Sequence, residues 1–301
     1  MRKLLAVWLL AVAAAHACAF VLVREAFVLT TDGQRLDWIA LSGNSIGEER
    51  IDDLVRPLLN ALSVAAVLGA TVFIGFIALI RRRFLLAVAA TLLVAGANVT
   101  TQVLKRVTDR PDLGVDLERI AAGNSLPSGH TTLAASLVVA LVLVLPTQVR
   151  GVGAVIGAGY AALAGVATMS AGWHRPSDAV ASLLVVGGWA ALTGALLLLF
   201  QRDDGFADEQ RMHRAAVATL AVVTLVALGG AAVGLNWVSD VIATPPDELD
   251  RQRLFAAYAG SAAAVTGTAA AVMAVFLSSL HHVVPRRAPP AAEALTPAEA
   301  R

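Results

Sequence analysis

The sequence predicts an all-α protein, a polytopic bundle of transmembrane helices. Of its 301 residues, 57% are hydrophobic and only 15% are charged, whereas about a quarter of the residues in a soluble domain carry a charge. Apolar runs of about 20 residues recur along the chain, which is the length of a helix that crosses about 30 Å of hydrocarbon. Each run is predicted to be helical because an unpaired backbone group in lipid costs several kcal/mol.

We predict about eight spans, of which six form a core and two follow it. The runs are Leu4–Val23, Leu54–Ile80, Phe84–Leu104, Thr131–Leu145, Val152–Gly172, Ala179–Phe200, Ala215–Leu235 and Phe255–Leu280. The fourth run is short and is expected to extend back to Ser128. The predicted divisions are residues 1–204 for the core, 205–284 for two additional transmembrane helices and 285–301 for a disordered cytoplasmic tail.

Short basic clusters lie in alternate loops, and the positive-inside rule places those loops in the cytoplasm. They are Arg2–Lys3, Arg81–Arg83, Arg150, Arg202–Arg214 and Arg286–Arg287. We therefore expect a multi-pass protein of the cytoplasmic (inner) membrane with both termini in the cytoplasm. The first run also fits a cleavable signal peptide, but its length favours an uncleaved anchor.

The composition argues against several kinds of site. The single cysteine, Cys18, rules out an intramolecular disulfide framework and a thiolate metal cluster. Carboxylates do not cluster as ligands of Mg²⁺ or Ca²⁺ would, and two histidines with no third ligand make a poor zinc site, so we expect no metal and no other cofactor. Aromatic residues are sparse and basic residues scatter, so no nucleic-acid partner is expected.

Three polar segments lie in loops that are predicted to face away from the cytoplasm. In the segment Gly172–Asp178, Asp178 follows His174 by one helical turn, so both side chains lie on one face. A carboxylate on one imidazole nitrogen fixes the tautomer and makes the ring more basic. Such a histidine can attack phosphorus and carry a phosphoryl group. The same pair also fits an interfacial helix cap without chemistry.

The second segment, Pro127–His130, enters the fourth span. Ser128 is a good N-cap residue, and Gly129 lets the backbone approach a ligand closely. Free N–H groups at a helix start favour phosphate, and His130 is placed to protonate a leaving-group oxygen. A plain capped helix with an interfacial histidine is the alternative.

The third segment, Lys105–Pro111, closes the third span. Lys105 and Arg110 are candidates for clamping phosphate oxygens, and arginine offers a bidentate fork. The alternative is that both cations extend to the lipid headgroups. Because the three segments share one predicted membrane face and supply an anion clamp, an acid and a nucleophile, we interpret them together as a site of phosphate chemistry on a lipid.

At these residues the chain resembles the type 2 phosphatidic acid phosphatase superfamily, which includes lipid phosphate phosphatases, undecaprenyl pyrophosphate phosphatases and vanadium haloperoxidases. The family pattern is KxxxxxxRP, then PSGH, then SRxxxxxHxxxD. Residues 127–130 match the second motif fully, and His174 and Asp178 match the end of the third. The resemblance covers about Phe84 to Phe200 and implies a six-helix phosphatase-like core that residues 205–284 extend.

The resemblance also implies a role for each matching residue. His174 would be the nucleophile that accepts the phosphoryl group, Asp178 its orienting partner and His130 the general acid. Ser128 and Gly129 would bind phosphate oxygens. Lys105 would be the lysine of the first motif.

The chain departs from the family pattern at two places. Counted from Lys105, the family arginine falls on Asp112, and Arg110 lies two positions earlier. The serine and arginine that open the third motif fall on Ala167 and Thr168, so a phosphate-binding arginine is missing.

Another cation is expected to fill this vacancy. A charge-assisted hydrogen bond to phosphate is worth about 1.5–3 kcal/mol, so its loss would slow catalysis about tenfold to a hundredfold. Arg106, Arg119 and Arg175 are nearby candidates. We prefer Arg175 because it adjoins the predicted nucleophile.

The favoured function is a metal-independent phosphatase that hydrolyses lipid phosphates or isoprenoid diphosphates at the outer face of the membrane through a phosphohistidine. Two alternatives stay open. One is a lipid phosphotransferase with the same intermediate. The other is a degenerate, non-catalytic phospholipid-binding protein, which the missing arginine favours and the intact His130, His174 and Asp178 disfavour. The outer loop Arg24–Asp53 is a minor candidate for covering the site.

Overall fold

The computed structural model describes residues 2–46, 72, 76, 84–115, 124–200 and 210–283. Within these ranges the chain forms helices and no strand. The helices are α1 (Arg2–Phe27), α2 (Thr31–Ser42), α3 (Phe84–Val107), α4 (Gly129–Val144), α5 (Thr147–Ser170), α6 (Pro176–Phe200), α7 (Gln210–Asn236) and α8 (Arg251–Val283). The predicted all-α class is therefore confirmed.

Six of these helices are long and apolar enough to cross a membrane, namely α1, α3, α5, α6, α7 and α8, and α4 is a shorter apolar helix. The protein is a multi-pass membrane protein. Seven of the eight predicted runs fall on helices, and the run Leu54–Ile80 lies outside the described residues except for Val72 and Phe76. Helix α4 does extend back beyond Thr131, since it begins at Gly129 with Ser128 as its N-cap.

Helix α6 is the centre of the bundle and contacts α1, α3, α4, α5 and α8. Its residues are apolar around most of its circumference and buried along most of its length, as expected of a helix enclosed by other helices. Helix α8 packs against α5, α6 and α7. The two C-terminal helices therefore lie against the core, and α7 keeps one face open to lipid, with Leu225, Val226 and Val233 more than 70% exposed.

Helix α2 was not predicted. It lies in the loop that follows α1 and is only 12 residues long, too short to span a membrane. It begins at the N-cap Thr30, whose side chain accepts a hydrogen bond from the Gly33 N–H. It packs against α1, α6 and α8.

The starts of α4 and α6 meet at one end of the bundle. The Ser128 N–H donates to the Asp178 carbonyl at 3.1 Å. The Ser182 hydroxyl lies within hydrogen-bond distance of the Ser128 carbonyl, at 2.8 Å, and of the Asp178 carbonyl, at 2.7 Å. These contacts fix the two helix N-termini next to each other, and the candidate site lies there.

Candidate active site

The His174–Asp178 pair forms as predicted. The Nδ1 atom of His174 lies 3.3 Å from the Oδ2 atom of Asp178, and both residues are buried. Because Asp178 accepts at Nδ1, the Nδ1–H tautomer is favoured, and the lone pair of the neutral ring then lies on Nε2. The pair therefore leaves Nε2 as the ring atom that can act as a nucleophile.

The loop before α6 holds this histidine through backbone hydrogen bonds. The Thr168 carbonyl accepts from the N–H groups of Trp173 at 3.0 Å and of His174 at 3.2 Å. Gly172 has a φ of +66°, a left-handed conformation that favours glycine. Thr168, which occupies the position of the missing arginine, is fully buried and donates its hydroxyl to the Gly165 carbonyl at 2.8 Å.

Arg175 turns inward and not toward the lipid headgroups. Its side chain is buried, and its Nη1 donates to the Ser125 hydroxyl at 3.3 Å. Its backbone N–H donates to Asp178 Oδ2 at 3.0 Å. The cation that we expected to replace the missing arginine therefore reaches from the loop before α6 to the segment before α4. Of the other two candidates, Arg106 is exposed and Arg119 lies outside the described residues.

The segment before α4 provides the second half of the site. The Ser128 Oγ accepts from the Thr131 N–H at 3.3 Å, so Ser128 acts as the predicted N-cap. A Cβ added at Gly129 would meet only Gln102 Nε2, at 3.7 Å, so the first turn of α4 has room beside its backbone. His130 packs on the Trp173 ring with 5.3 Å between centroids, which brings it to the loop that carries His174.

The cations of the segment Lys105–Pro111 reach the same place. Lys105, in the last turn of α3, is half-buried and close enough to His130 and Asp178 to interact with them electrostatically. The Arg110 side chain is 7% exposed, and its Nη2 lies 3.6 Å from Asp178 Oδ1. The structure thus brings Lys105, Arg110, His130 and the His174–Asp178 pair together.

Sequence reasoning missed one charged side chain in this cluster, Asp37 of α2. Its Oδ1 accepts from the Ser177 N–H at 3.2 Å, and its Oδ2 accepts from the Ser177 hydroxyl. Its Oδ2 also lies 4.0 Å from Arg110 Nη2. Burial raises the pKa of Asp37 to about 7, although Arg110 beside it acts in the opposite direction.

Asn124 is a second missed residue. Its side-chain amide donates to the Thr108 carbonyl at 2.7 Å and to the Leu126 carbonyl at 3.1 Å. It therefore ties the segment before α4 to the segment after α3. Asparagine is typical of such turns, but a single sequence gives no sign of the partner.

Residues 84–203 match the family model described as the PAP2 superfamily. This segment belongs to that superfamily. The match begins at the first residue of α3 and ends just beyond α6, so it contains all three motif segments of the site. PAP2 membership indicates a phosphatase that acts on phosphate esters at a membrane. No curated protein and no solved structure was found to match the chain.

Among the residues that the structure describes, no three His, Cys, Asp or Glu side chains are grouped as a metal site would require. The carboxylates of the candidate site are engaged with an imidazole, a hydroxyl and guanidinium groups. The described site is therefore an arrangement of imidazoles, cations and helix N-termini, which suits an anionic substrate.

Proposed function

We propose that this protein is a metal-independent phosphatase that hydrolyses lipid phosphates or isoprenoid diphosphates through a phosphohistidine at His174. The observation that carries the proposal is the buried His174–Asp178 pair beside the N-terminus of α4, with His130 packed on the same loop. A nucleophile, an acid and an anion-binding helix start are the parts that phosphoryl transfer needs.

In the first step, His174 Nε2 attacks phosphorus, an N–P bond forms, and the P–O bond to the lipid breaks. The leaving oxygen takes a proton from His130. In the second step, a water molecule attacks phosphorus and gives a proton to His130, an O–P bond forms, and the N–P bond to His174 breaks. Inorganic phosphate leaves, and both histidines return to their starting states.

Asp178 supports both steps by fixing the ring. A carboxylate at Nδ1 holds the imidazole in one tautomer and stabilises the positive charge that develops on the ring during attack. Because Asp178 is fully buried, this interaction is poorly screened by water.

The phosphate would be bound by Lys105, Arg110, Arg175 and the backbone at Ser128 and Gly129. Three cations and a helix N-terminus stabilise the charge on the transferring group. Arg175 takes the place of the missing third-motif arginine in this proposal, which is supported by its inward side chain. Positioning and charge stabilisation account for most of the catalysis in such a reaction.

The charge pattern of the loops supports an orientation with both termini in the cytoplasm and the site on the extracytoplasmic face of the cytoplasmic membrane. Within this proposal, residues 1–204 form the phosphatase core, 205–284 add two helices and 285–301 form a cytoplasmic tail. The alkyl or prenyl chain of the substrate would remain in the bilayer while its headgroup enters the site.

The test is phosphate release by the purified full chain in detergent with EDTA. Dioleoyl phosphatidate and farnesyl diphosphate serve as the two substrates, and His174→Ala is the matched variant. We expect release of inorganic phosphate that the variant loses. Activity that survives in His174→Ala would refute the mechanism, and a phosphoryl group found on an added alcohol would indicate a phosphotransferase.

A further inference from the structure

Helix α2 touches the active site with one face and the C-terminal helices with another. Asp37 points to the start of α6, where it meets Ser177. Ile39 and Ala40, both fully buried, belong to a separate apolar cluster with Val238, Ala256 and Ala257, which lie in or beside α7 and α8. This short helix therefore links the catalytic end of the bundle to the two spans that lie outside the family match.

The Asp37 carboxylate caps α6 from outside that helix. Pro176 and Ser177 are the first residues of α6, and the first N–H groups of any helix have no partner within the helix. Asp37 accepts from the Ser177 N–H and from its hydroxyl. A carboxylate at this place also interacts favourably with the helix dipole, so Asp37 fixes the turn that carries Asp178.

Asp37 also shares Arg110 with Asp178. The Nη2 atom of Arg110 lies 4.0 Å from Asp37 Oδ2 and 3.6 Å from Asp178 Oδ1. If Asp37 lost its charge, the attraction between Arg110 and Asp37 would be lost while that between Arg110 and Asp178 remained, so Arg110 would move closer to Asp178. Asp178 would then be drawn away from His174, whose Nδ1 is bound by its other oxygen.

We propose that Asp37 is a positioning residue that caps the start of α6 and shares Arg110, and so keeps Asp178 available to His174. This inference rests on the proposed function and deepens it, because it extends the machinery to a helix outside the family match. Asp37 does not contact the reacting atoms. It acts through Ser177, Arg110 and Asp178.

Helix α8 fixes α2 in the place that this role requires. A Cβ added at Gly43, which follows α2, would lie 2.5 Å from the Leu254 carbonyl and 2.8 Å from Tyr258 Cβ. The Tyr258 hydroxyl lies 2.5 Å from the Ser170 hydroxyl, just before the His174 loop. Helix α8 thus contacts both the end of α2 and the segment before the His174 loop, and it fixes their relative positions.

The charged groups that act on the Asp37 carboxylate are Arg110 from the segment after α3 and Arg175 and Asp178 from the start of α6. The α8 residues in the shared cluster are apolar. Since the pKa of Asp37 is raised to about 7, Asp37 is mostly protonated at pH 6 and mostly charged at pH 8. Its effect on Arg110 should therefore be small at pH 6 and large at pH 8.

The first experiment compares Asp37→Asn with the wild type in the phosphate-release assay between pH 6 and pH 8. Asparagine keeps an oxygen for the Ser177 N–H but carries no charge. We expect kcat of the variant to be near that of the wild type at pH 6 and about tenfold lower at pH 8, with KM changed by less than about threefold. If the ratio of the variant's kcat to that of the wild type stayed constant between pH 6 and pH 8, the proposal would be overturned, because a purely structural role gives that result.

Asp32→Asn is the matched control. Asp32 lies on the same helix, its side chain is 73% exposed, and it pairs with Arg35 at 3.7 Å. Its removal should leave kcat unchanged at every pH. An Asp32→Asn effect equal to that of Asp37→Asn would attribute the loss to α2 in general and not to the buried carboxylate.

A second readout does not depend on activity. Diethyl pyrocarbonate modifies neutral imidazole, and mass spectrometry of peptides from the digested chain reports the modification of each histidine, with His16 as the internal reference. We expect His174 to be modified more slowly in Asp37→Asn than in the wild type at pH 8, because a ring that loses the carboxylate at Nδ1 is a weaker nucleophile. An unchanged rate would overturn the positioning role. A lower rate in Asp37→Asn, together with a wild type that releases no phosphate, would uphold the positioning role and refute the proposed function.

Discussion

Buried arginines lie near both ends of the short helix α4, and their partners differ. Near its C-terminus, Arg150 is 2% exposed and donates to backbone carbonyls, from Nε to Val142 at 3.2 Å and from Nη2 to Leu145 at 2.9 Å. Near its N-terminus, Arg110 and Arg175 lie beside carboxylates and a hydroxyl. Helix C-termini present carbonyls and helix N-termini present N–H groups.

This difference separates a structural cation from the cations that we propose bind phosphate. The carbonyls around Arg150 satisfy a guanidinium where the helix dipole already favours positive charge. At the other end, Lys105, Arg110 and Arg175 adjoin the starts of α4 and α6, which are themselves electropositive. Among the described residues, Asp37 and Asp178 are the carboxylates that lie beside these cations. In the proposed function, the cations and the two helix starts bind the anionic substrate at this end and not at the Arg150 end.

The largest effect should come from His130→Ala at the catalytic end. We expect kcat for dioleoyl phosphatidate to fall by about 10²–10⁴-fold, the usual contribution of a general acid. The apparent Tm should change little because His130 is only half-buried.

A leaving group that needs no proton provides the control for His130. With p-nitrophenyl phosphate, the same variant should lose much less activity, because nitrophenolate leaves without protonation. Equal losses on both substrates would contradict the acid role.

Replacement of Arg175 should have the next largest effect. Arg175→Ala removes one charge-assisted hydrogen bond to phosphate, worth about 1.5–3 kcal/mol, so kcat/KM should fall by about tenfold to a hundredfold. Arg175→Lys should recover part of this loss because it keeps the charge but not the fork. If Arg175→Ala retained full activity, the missing third-motif arginine would have no replacement at this position.

Arg150→Ala should show the opposite pattern. Its removal leaves the carbonyls at the end of α4 without their partner, which costs about 1–3 kcal/mol of stability. We expect a lower apparent Tm and an unchanged kcat per folded molecule, since Arg150 lies at the far end of α4 from Ser128. A loss of kcat without a loss of Tm would place Arg150 in the catalytic machinery and remove the contrast between the two ends.

The parts of the site that the sequence predicted are those in which partners lie close together in the chain. His174 and Asp178 are four residues apart and meet within one helical turn, and Ser128 caps the helix that it precedes. The spans were predictable because length and hydropathy reflect the thickness of the bilayer.

The contact of Asp37 with Ser177 joins residues 140 positions apart, and no local pattern signals it. Helix α2 is too short to register as a span, and its single buried carboxylate resembles any loop aspartate. The direction of the Arg175 side chain was likewise a matter of tertiary packing. A single sequence shows that such a position carries a charge, but it does not show which residues lie beside it in the fold.

The smallest effect concerns stability and the titration of Asp37. Its pKa rises from 3.8 to about 7 on folding, so the folded protein binds the proton more tightly than the unfolded chain. The stability that this group contributes is therefore present below about pH 4 and is lost as the pH rises to about 7, with no further change above. Asp37→Asn lacks this titration.

The wild type should accordingly lose apparent Tm relative to Asp37→Asn between pH 5 and pH 8, by a few degrees for a chain of this size. Thermal unfolding of both proteins in the same detergent, with Asp32→Asn as reference, measures the difference. If the difference in apparent Tm between the two proteins stayed constant across this range, Asp37 would keep an ordinary carboxyl pKa in the folded protein. The carboxylate would then be charged at every pH of the activity assay, and its effect on Arg110 would be as independent of pH as the contacts of Arg150 with backbone carbonyls.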